Sequence, residues 1–518
     1  MKTRYIIASI FMLSVCITSC DKDFEEINKN PLLPTSLDPM FMLAKAQQMG
    51  TTMHHYEGSI IQQLNLVIGG NEEGGNRNTV VESNMSSRFN FYYGNVKTLV
   101  DIINTLKDNP DRTNLFNMAR IMKAYAFQIL VDLYGDIPYN EAGLVYISGI
   151  DMPKYDNQEV IYADLEKELT EAVNELDPTK DKISGEIFFA GDISKWKKFG
   201  NSLLLRLGMR YTKIDETKAK SIVLTATEPQ RGGVMTSNDD NVIIKWNSIQ
   251  NNPITVFCNT GTRQNWHVGR PFTDFLYNNN DPRMPYSVCL YPVPASASDP
   301  GTPNTNPADQ IGCPYGYDEV TIVNDPYYPG TISAGVWKYS QFNRKTLGRV
   351  DSWQYLVTYA QTQLLLAEAR YRDYISTGTA EEFYEAGIRA HMTQKDIWGT
   401  SGSASPITEA EITNYLAQPA ISFDPDNGLK QINEQYWVAC LMIWHEGWAN
   451  FRRSGYPQLN PINFPGEDYY ADADGGGDGF IHRLIYPFRE YSSNQKNVQA
   501  AADRMSGDNV GIHLFWDK

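Results

Sequence analysis

Residues 114–141 read NLFNMARIMKAYAFQILVDLYGDIPYNE, which joins a long apolar periodicity to a clear stop signal. The apolar residues recur at the spacing of one α-helical face, and alanine and aromatic residues widen that face around much of the helix. We therefore predict a helix that is buried on most sides. Thr113 or Asn114 is expected to cap its start. Gly135 is expected to end it in a left-handed conformation, and Pro138 prevents its continuation.

The composition describes a large acidic protein rich in aromatic residues. Its 518 residues are enough for a large core and for more than one domain. The formal net charge of −16 argues against a nucleic-acid-binding surface. The chain has 31 tyrosines and 10 tryptophans, whose flat apolar rings with a polar tip suit contact with sugars as well as burial.

The first residues have the pattern of a bacterial secretory leader. Two basic residues precede an apolar stretch, and small residues follow it. Residues 17–20, ITSC, resemble a lipobox, at which the leader is removed and the cysteine thiol carries diacylglycerol. We predict a signal peptide over 1–19, a lipidated Cys20 and a lipid-anchored linker over 20–37. Such an anchor holds a protein on a membrane without a spanning segment.

The first half of the body is predicted to contain one helix after another. Helical patterns cover 38–56 and 87–106, and further helices are expected to start at Asp156, where Glu159 is placed for a capping box, and at Asp192. Short connections between the helices predict an all-α stack.

The character changes from about residue 228 to 351, where Asn, Pro, Gly, Ser and Tyr dominate. No long helix is predicted there, although 242–246 has the pattern of a short strand. A long irregular segment in a compact protein is usually functional or disordered, and its many aromatic residues argue against disorder.

Helical patterns return over 352–374 and 433–451, and Thr408 with Glu411 predicts a capping box between them. The fold is therefore expected to be all-α dominated, with its parts in the following order: a helical half over 38–227, a loop-rich ligand-binding insertion over 228–352, a second helical half over 353–464, and an irregular C-terminal segment over 465–518 packed on the core.

Several segments resemble the SusD/RagB family of lipid-anchored nutrient-binding proteins on the Bacteroidetes cell surface. Residues 122–142, with DLYGDIPY at 132–139, resemble its best-defined signature. Residues 444–457, WHEGWANFRRSGYP, resemble its E-x-W-x-x-x-R-R-x-G-x-P motif. DPR at 281–283 and RLIYP at 483–487 resemble further family segments. The resemblance implies tetratricopeptide-like helical hairpins, with the irregular middle segment laid against them.

The resemblance also implies a function. A SusD-like lipoprotein sits on the exterior face of the outer membrane, binds oligosaccharide and delivers it to a TonB-dependent SusC-like transporter. It binds its ligand without catalysis. A peptide-binding RagB-type uptake lipoprotein and a helical-repeat scaffold for protein partners are the alternatives. His445 and the Asn/Tyr-rich middle segment depart from the family pattern, and the second departure leaves the ligand's identity open.

The sequence contains no catalytic or metal-binding motif of a standard kind. His445-Glu446 resembles the start of the zinc-protease pattern H-E-x-x-H, but Ala449 occupies the position of the second histidine. No G-x-S-x-G pattern is present either. We therefore predict no catalytic residue, no metal ligand and no cofactor. Glu446 is expected to be structural, paired with Arg452 or Arg453.

One acidic segment resembles a calcium-binding loop. Asp472, Asp474 and Asp478 alternate with glycine and alanine, as carboxylates that wrap a hard cation do. The bidentate glutamate of the standard loop is missing, because Arg483 stands at the twelfth position. A solvated acidic turn is therefore favoured over a structural calcium.

Sugar binding needs a flat aromatic face with planar hydrogen-bonding groups beside it, and the middle segment has such combinations. Packing onto the helices is the alternative role for each aromatic ring. We place the ligand surface in this segment and at the loop over 69–84. The predicted ligand-binding residues are Arg263, Asn265, Trp266, Tyr327 and Trp337.

Overall fold

The structure is a computed structural model that describes residues 37–48, 52, 54–67, 75–259, 265–291, 302–333, 336–462, 464 and 479–518. The predicted leader, Cys20 and Arg263 lie outside the described residues, as do the three aspartates of the acidic segment, Asp472, Asp474 and Asp478. Among the helices of the described ranges, none combines the length and the apolar character that a membrane crossing requires.

The first half is built from helices that pack on one another in chain order. They are α1 (Pro39–Gln48), α2 (His55–Ile60), α3 (Glu82–Leu106), α4 (Thr113–Tyr134), α5 (Val145–Ser148), α6 (Gln158–Glu175), α7 (Ile193–Met209) and α8 (Glu216–Thr227). Helix α3 packs on α4, α4 on α6, α6 on α7, and α7 on α8. This arrangement is the predicted stack of helical hairpins.

The described part of the middle segment contains two α-helices and most of the short strands. The helices are α9 (Arg270–Asn278) and α10 (Met284–Ser287). The strands of the described chain are β1 (Leu64–Leu66), β2 (Ile137–Pro138), β3 (Tyr155–Asp156), β4 (Val242–Ile244), β5 (Trp266–Val268), β6 (Val288–Cys289), β7 (Thr331–Ser333), β8 (Val336–Trp337), β9 (Gln341–Phe342) and β10 (Gln354–Val357). They form two-stranded antiparallel pairs: β1 with β5, β2 with β3, β4 with β10, β6 with β9, and β7 with β8.

The second half returns to helices and closes against the first. Its helices are α11 (Tyr359–Tyr371), α12 (Ala380–Met392), α13 (Glu409–Leu416), α14 (Gly428–Ala439), α15 (Trp444–Ser454), α16 (Glu490–Ser493) and α17 (Gln495–Arg504). Helix α11 packs on α12 and α14, and α15 contacts both α2 and α4. The fold is therefore helix-dominated, and the two motif-bearing helices, α4 and α15, lie in contact.

Several predicted helix boundaries were wrong. In each case the helical sequence pattern continues across a point where the helix itself ends. The predicted helix over 38–56 is the two helices α1 and α2. The predicted helix over 433–451 is likewise two helices, α14 and α15. The chain breaks between them, where Met442 takes a positive φ of 65°. The first residues of 352–374 form β10, and α17 lies in the C-terminal segment expected to be irregular.

The start of α6 also differs from the prediction. Asp156 lies in β3, and the side chain of Asn157 caps α6 instead by accepting from the backbone N–H of Glu159 at 2.9 Å. The predictions for 242–246, Asp192 and Thr408 with Glu411 are confirmed. Strand β4 forms, Asp192 accepts from the first backbone N–H groups of α7, and the capping box precedes α13.

The organising helix, α4, is buried along nearly its whole length, as predicted. Its cap was predicted wrongly, because the partner comes from a distant part of the chain. The carboxylate of Asp181 accepts from the backbone N–H of Asn114 at 2.7 Å and of Leu115 at 3.2 Å. Gly135 ends the helix with φ 79° and ψ −120°, a positive-φ conformation outside the left-handed helical region. A Cβ there would lie 2.7 Å from the sulfur of Met505.

The charged residues of 444–457 are buried and paired, although not as predicted. Glu446 accepts from Arg210 at 2.7 Å and lies 3.4 Å from Arg206, both of which come from the end of α7 and the turn that follows it. Arg453 instead makes a two-bond pair with Glu368 of α11, at 2.7 Å for each bond. Sequence proximity favoured pairs within one helix, but both side chains reach neighbouring helices. The contacts of Glu446 with Arg206 and Arg210 join the two halves of the fold.

Candidate functional site

The loop after α2 and the middle segment are joined by backbone contacts. Strands β1 and β5 pair so that Leu66 lies opposite Trp266. The side-chain amide of Asn65 donates to the carbonyl of Pro314 at 2.6 Å, and the hydroxyl of Tyr315 donates to the carbonyl of Leu64 at 2.6 Å. Residues 64–66, which precede the 69–84 loop, therefore lie beside β5 and residues 314–315 of the middle segment.

A small apolar cluster supports this part of the middle segment. It is separate from the main core and consists of buried Val67, Cys313, Ile322, Trp337 and Tyr339. Tyr317 and Tyr328 pack against it while remaining partly exposed. The cluster fixes the backbone beneath two tyrosines whose rings are still accessible.

Tyr327 is the most exposed ring of this region, with 69% of the residue accessible. The guanidinium of Arg270 lies 5.1 Å from its ring centroid. Such a contact holds the ring by cation–π attraction and leaves surface for a ligand. We call Arg270, Tyr317, Tyr327 and Tyr328 the Tyr327 surface.

The Arg270 side chain is held by a carboxylate below it. Asp325 accepts two bonds from the guanidinium, at 2.5 and 2.8 Å, and a third from the hydroxyl of Tyr339 at 2.7 Å. Burial alone would raise the pKa of Asp325, but these hydrogen bonds hold the pKa below its ordinary value. Asp325 is therefore an anion at neutral pH, and the pair presents Arg270 to Tyr327 in a fixed orientation.

A second aromatic–guanidinium pair lies at the margin of the same region. The guanidinium of Arg77 lies 4.6 Å from the ring centroid of Phe464. The backbone N–H of Gly316 donates to the carbonyl of Asn76 at 3.1 Å, which ties this margin to the segment that carries Tyr317. Residues from three distant parts of the sequence therefore converge here.

The structure gives the predicted ligand residues different environments. Tyr327 is exposed, whereas Trp337 is 4% exposed and belongs to the supporting cluster, so its ring packs rather than faces solvent. Trp266 and Asn265 are half-buried. The ring of Trp266 lies 4.5 Å from that of His55 and 5.1 Å from that of Phe257, so it also packs on the main core.

Sequence reasoning did not name Arg77, Arg270 or Phe464, although Arg77 lies in the 69–84 loop that it placed at the ligand surface. Phe464 and Arg77 are 387 residues apart, so no local motif contains both. Arg270 could have been noticed, because it stands at the start of α9 directly after the predicted Trp266 region.

Two grooves lie away from the Tyr327 surface. One, of about 530 Å³, is lined by Tyr277, Asn280, Asn414 and Gln418 among others. The other, of about 670 Å³, lies between the starts of α4 and α7. Neither contains a predicted ligand residue.

Comparison with known proteins assigns the chain to a family. Residues 28–487 match the family described as SusD-like_2, "Starch-binding associating with outer membrane". The chain belongs to this SusD-like family. The family assignment confirms the resemblance drawn from 132–139 and 444–457, and with it the tetratricopeptide-like helical fold.

Solved SusD-like structures share this fold over nearly the whole chain. A chitin-binding protein is 29% identical, with a TM-score of 0.75 over 93% of this chain and all of its own. A protein titled "Bacteroidetes AC2a SusD-like" is 25% identical, with a TM-score of 0.77 over 93% of this chain and all of its own.

A chitin-binding SusD homolog from Flavobacterium johnsoniae is 22% identical, with a TM-score of 0.72 over 93% of this chain and 97% of its own, and supports the fold alone. No curated protein matches the sequence.

Proposed function

We propose that this chain is a glycan-binding lipoprotein on the exterior face of the outer membrane, and that it delivers oligosaccharide to a TonB-dependent SusC-like transporter. It binds without catalysis. Membership of the SusD-like family supports the outer-membrane setting and the ligand class. The transporter and the orientation come from the family resemblance.

The observation that carries the ligand class is the exposed ring of Tyr327 beside Arg270. A sugar stacks its C–H face on an aromatic ring, and tyrosine offers such a face at low entropic cost because it has only two side-chain torsions. Arg270, fixed by Asp325, can donate hydrogen bonds to hydroxyl groups at the edge of a stacked sugar. Tyr317 and Tyr328 extend the aromatic surface.

The remaining predicted residues take different parts in the proposal. Asn265 is proposed to contribute hydrogen bonds at the margin, and Arg263, two residues before it in sequence, is proposed to take part in ligand binding. Trp266 packs one part of its ring on His55 and Phe257 and is proposed to offer the rest to the ligand. Trp337 supports the surface from beneath.

The 29% identical relative that is named a chitin-binding protein suggests the first probe. Chito-oligosaccharides should be tested beside malto-oligosaccharides, which the family description suggests, and beside a mixed peptide library. Calorimetric titration of the mature protein should show saturable binding to one glycan class. Saturable binding to peptides alone would favour the RagB-type alternative. No binding to any probe, with a protein partner bound instead, would favour the scaffold.

The lipid anchor has its own test. Cys20→Ala should release the protein from the membrane fraction or leave the leader attached, because the thiol that carries the lipid is gone. Cys16→Ala is the matched control, since it changes the neighbouring leader cysteine and should leave anchoring intact. Membrane retention of processed Cys20→Ala protein would contradict the assignment.

A further inference from the structure

The C-terminal end of the chain forms a cluster of metal-ligand type that the sequence did not suggest. His482, His513 and Asp517 each offer a ligand atom, and these atoms all lie within 4.8 Å of one another. We propose that His482, His513 and Asp517 bind a divalent zinc ion.

The polypeptide on both sides of the cluster is held in place. The backbone N–H of Leu484 donates to the carbonyl of Leu133, at the end of α4, at 2.7 Å. The backbone N–H of His482 donates to the carbonyl of Val510 at 2.7 Å. Trp516, beside Asp517, is fully buried, and the guanidinium of Arg452 lies 4.8 Å from its ring centroid. The backbone of the three residues is therefore positioned by the fold. The rings of His482 and His513 are stacked, with centroids 3.6 Å apart and planes 27° apart, so the half-exposed ring of His513 turns to direct Nδ1 at the ion.

One of the two distances to Asp517 is close to that of a zinc site. Zinc takes nitrogen and oxygen ligands at about 2.0–2.2 Å, so ligand atoms in a tetrahedral site lie roughly 3.3 Å apart. Nδ1 of His513 lies 3.6 Å from a carboxylate oxygen of Asp517. Nδ1 of His482 lies 2.6 Å from the same oxygen, which is a hydrogen-bond distance. In the metal-free protein, a proton joins His482 to Asp517 where the ion would lie.

Binding therefore exchanges protons for the ion. Zinc at Nδ1 of His482 displaces the proton shared with Asp517. Nδ1 of His513 donates to the backbone carbonyl of Asp517 at 2.9 Å, and ligation through this atom gives up that bond as well. Metal binding to imidazole and carboxylate generally releases protons in this way.

The charge of the cluster suits a cation, although two cations lie near. Asp517 supplies a carboxylate to the cluster, and Nδ1 of His482 donates to it. Arg452 and Lys213 are the nearby positive groups, and both interact electrostatically with Asp517. Arg452 is committed to carbonyl groups, because it donates to those of His482 and Asp132.

The ligand types select the metal, and exposure determines how it exchanges. Two imidazoles favour zinc, copper or nickel over calcium and magnesium, which require mainly oxygen ligands. The side chain of His513 is 44% exposed, so water has access to a fourth coordination position. A chelator should therefore remove the ion without unfolding the protein.

The test uses mature protein without an affinity tag, stripped with a chelator and titrated with zinc chloride. We expect one zinc per chain and a higher melting temperature with zinc present. His513→Ala should weaken binding at least tenfold and remove the thermal shift. His513→Gln keeps a hydrogen-bond donor for the carbonyl of Asp517, so it should fold as the wild type does and still lose the zinc.

A double variant, Asp472→Asn with Asp474→Asn, is the matched control for zinc bound by the acidic segment. It should leave the stoichiometry and the affinity unchanged. The proposal is overturned if the wild type binds no zinc, or if zinc binding persists unchanged in both His513 variants. Loss of binding in the acidic double variant alone would also overturn it.

Discussion

The buried charges of the helical halves and the Tyr327 surface use similar side chains for opposite purposes. Glu368 and Arg453 form a two-bond pair inside the fold, each about 1% exposed or less. Arg270 and Asp325 also form a two-bond pair, but Arg270 then faces an exposed tyrosine. The first pair joins helices, and the second presents a ring to solvent.

The difference explains where the family motifs lie. A buried ion pair tolerates little change, because removing one partner leaves an uncompensated charge in the interior. Segments 132–139 and 444–457 contain such buried paired charges, among them Asp132, Glu446 and Arg453. The exposed residues of the Tyr327 surface, by contrast, lie outside every segment that resembles the family.

The largest expected effect comes from breaking the buried pair. Glu368→Ala leaves Arg453 without its partner and should lower the free energy of unfolding by about 3–5 kcal/mol. Chemical unfolding followed by circular dichroism measures this. Lys395→Ala is the matched control, because its pair with Asp239 is largely exposed, and it should cost less than about 1 kcal/mol. Equal losses of unfolding free energy in the two variants would contradict the distinction between buried and exposed ion pairs.

The same pair predicts a pH dependence. Burial would raise the pKa of Glu368, but Arg453 and Arg372 lower it from 4.5 to about 2. A depressed carboxyl pKa adds stability above the unfolded-state value, and that stability is lost as the pH falls towards the folded-state value. The stability difference between the wild type and Glu368→Gln should therefore narrow as the pH falls from 4.5 towards 2. A constant difference would contradict the assigned charge state.

The end of α4 should give a smaller effect. Gly135→Ala places a side chain at positive φ and a Cβ 2.7 Å from the sulfur of Met505, so it should cost about 1–3 kcal/mol. Gly94→Ala is the matched control, because this helical glycine in α3 has open space around its added Cβ. It should stabilise slightly, by up to about 1 kcal/mol. Thermal unfolding compares the two, and equal stability would exclude a special role for Gly135.

The sequence predicted those features that local patterns encode. The burial and C-terminal stop of α4, strand β4 and the box at Thr408 all depend on residues within a few positions of one another. The cap of α4 by Asp181 and the partners of Glu446 were not predicted, because each contact joins residues far apart in the chain.

In the candidate site, too, the sequence predicted local features but not contacts between residues far apart in the chain. Tyr327 was predicted from composition, whereas Arg77 and Phe464 meet only in the folded chain. The prediction of no metal ligand relied on standard spacings. His513 and Asp517 are four residues apart, but His482 is 31 residues before His513, so no short motif contains all three.

The proposed role of the Tyr327 surface is tested most directly by calorimetric titration with the glycan that binds the wild type, using Tyr327→Ala and Tyr146→Ala. Tyr146 is the matched control, because it is 80% exposed and lies beside a cation, Lys97, 4.3 Å from its ring centroid. We predict that Tyr327→Ala loses about 1–3 kcal/mol of binding free energy, while its unfolding free energy changes by less than about 0.5 kcal/mol. Tyr146→Ala should bind as the wild type does. Unchanged affinity in Tyr327→Ala, or an equal loss in both variants, would contradict the account.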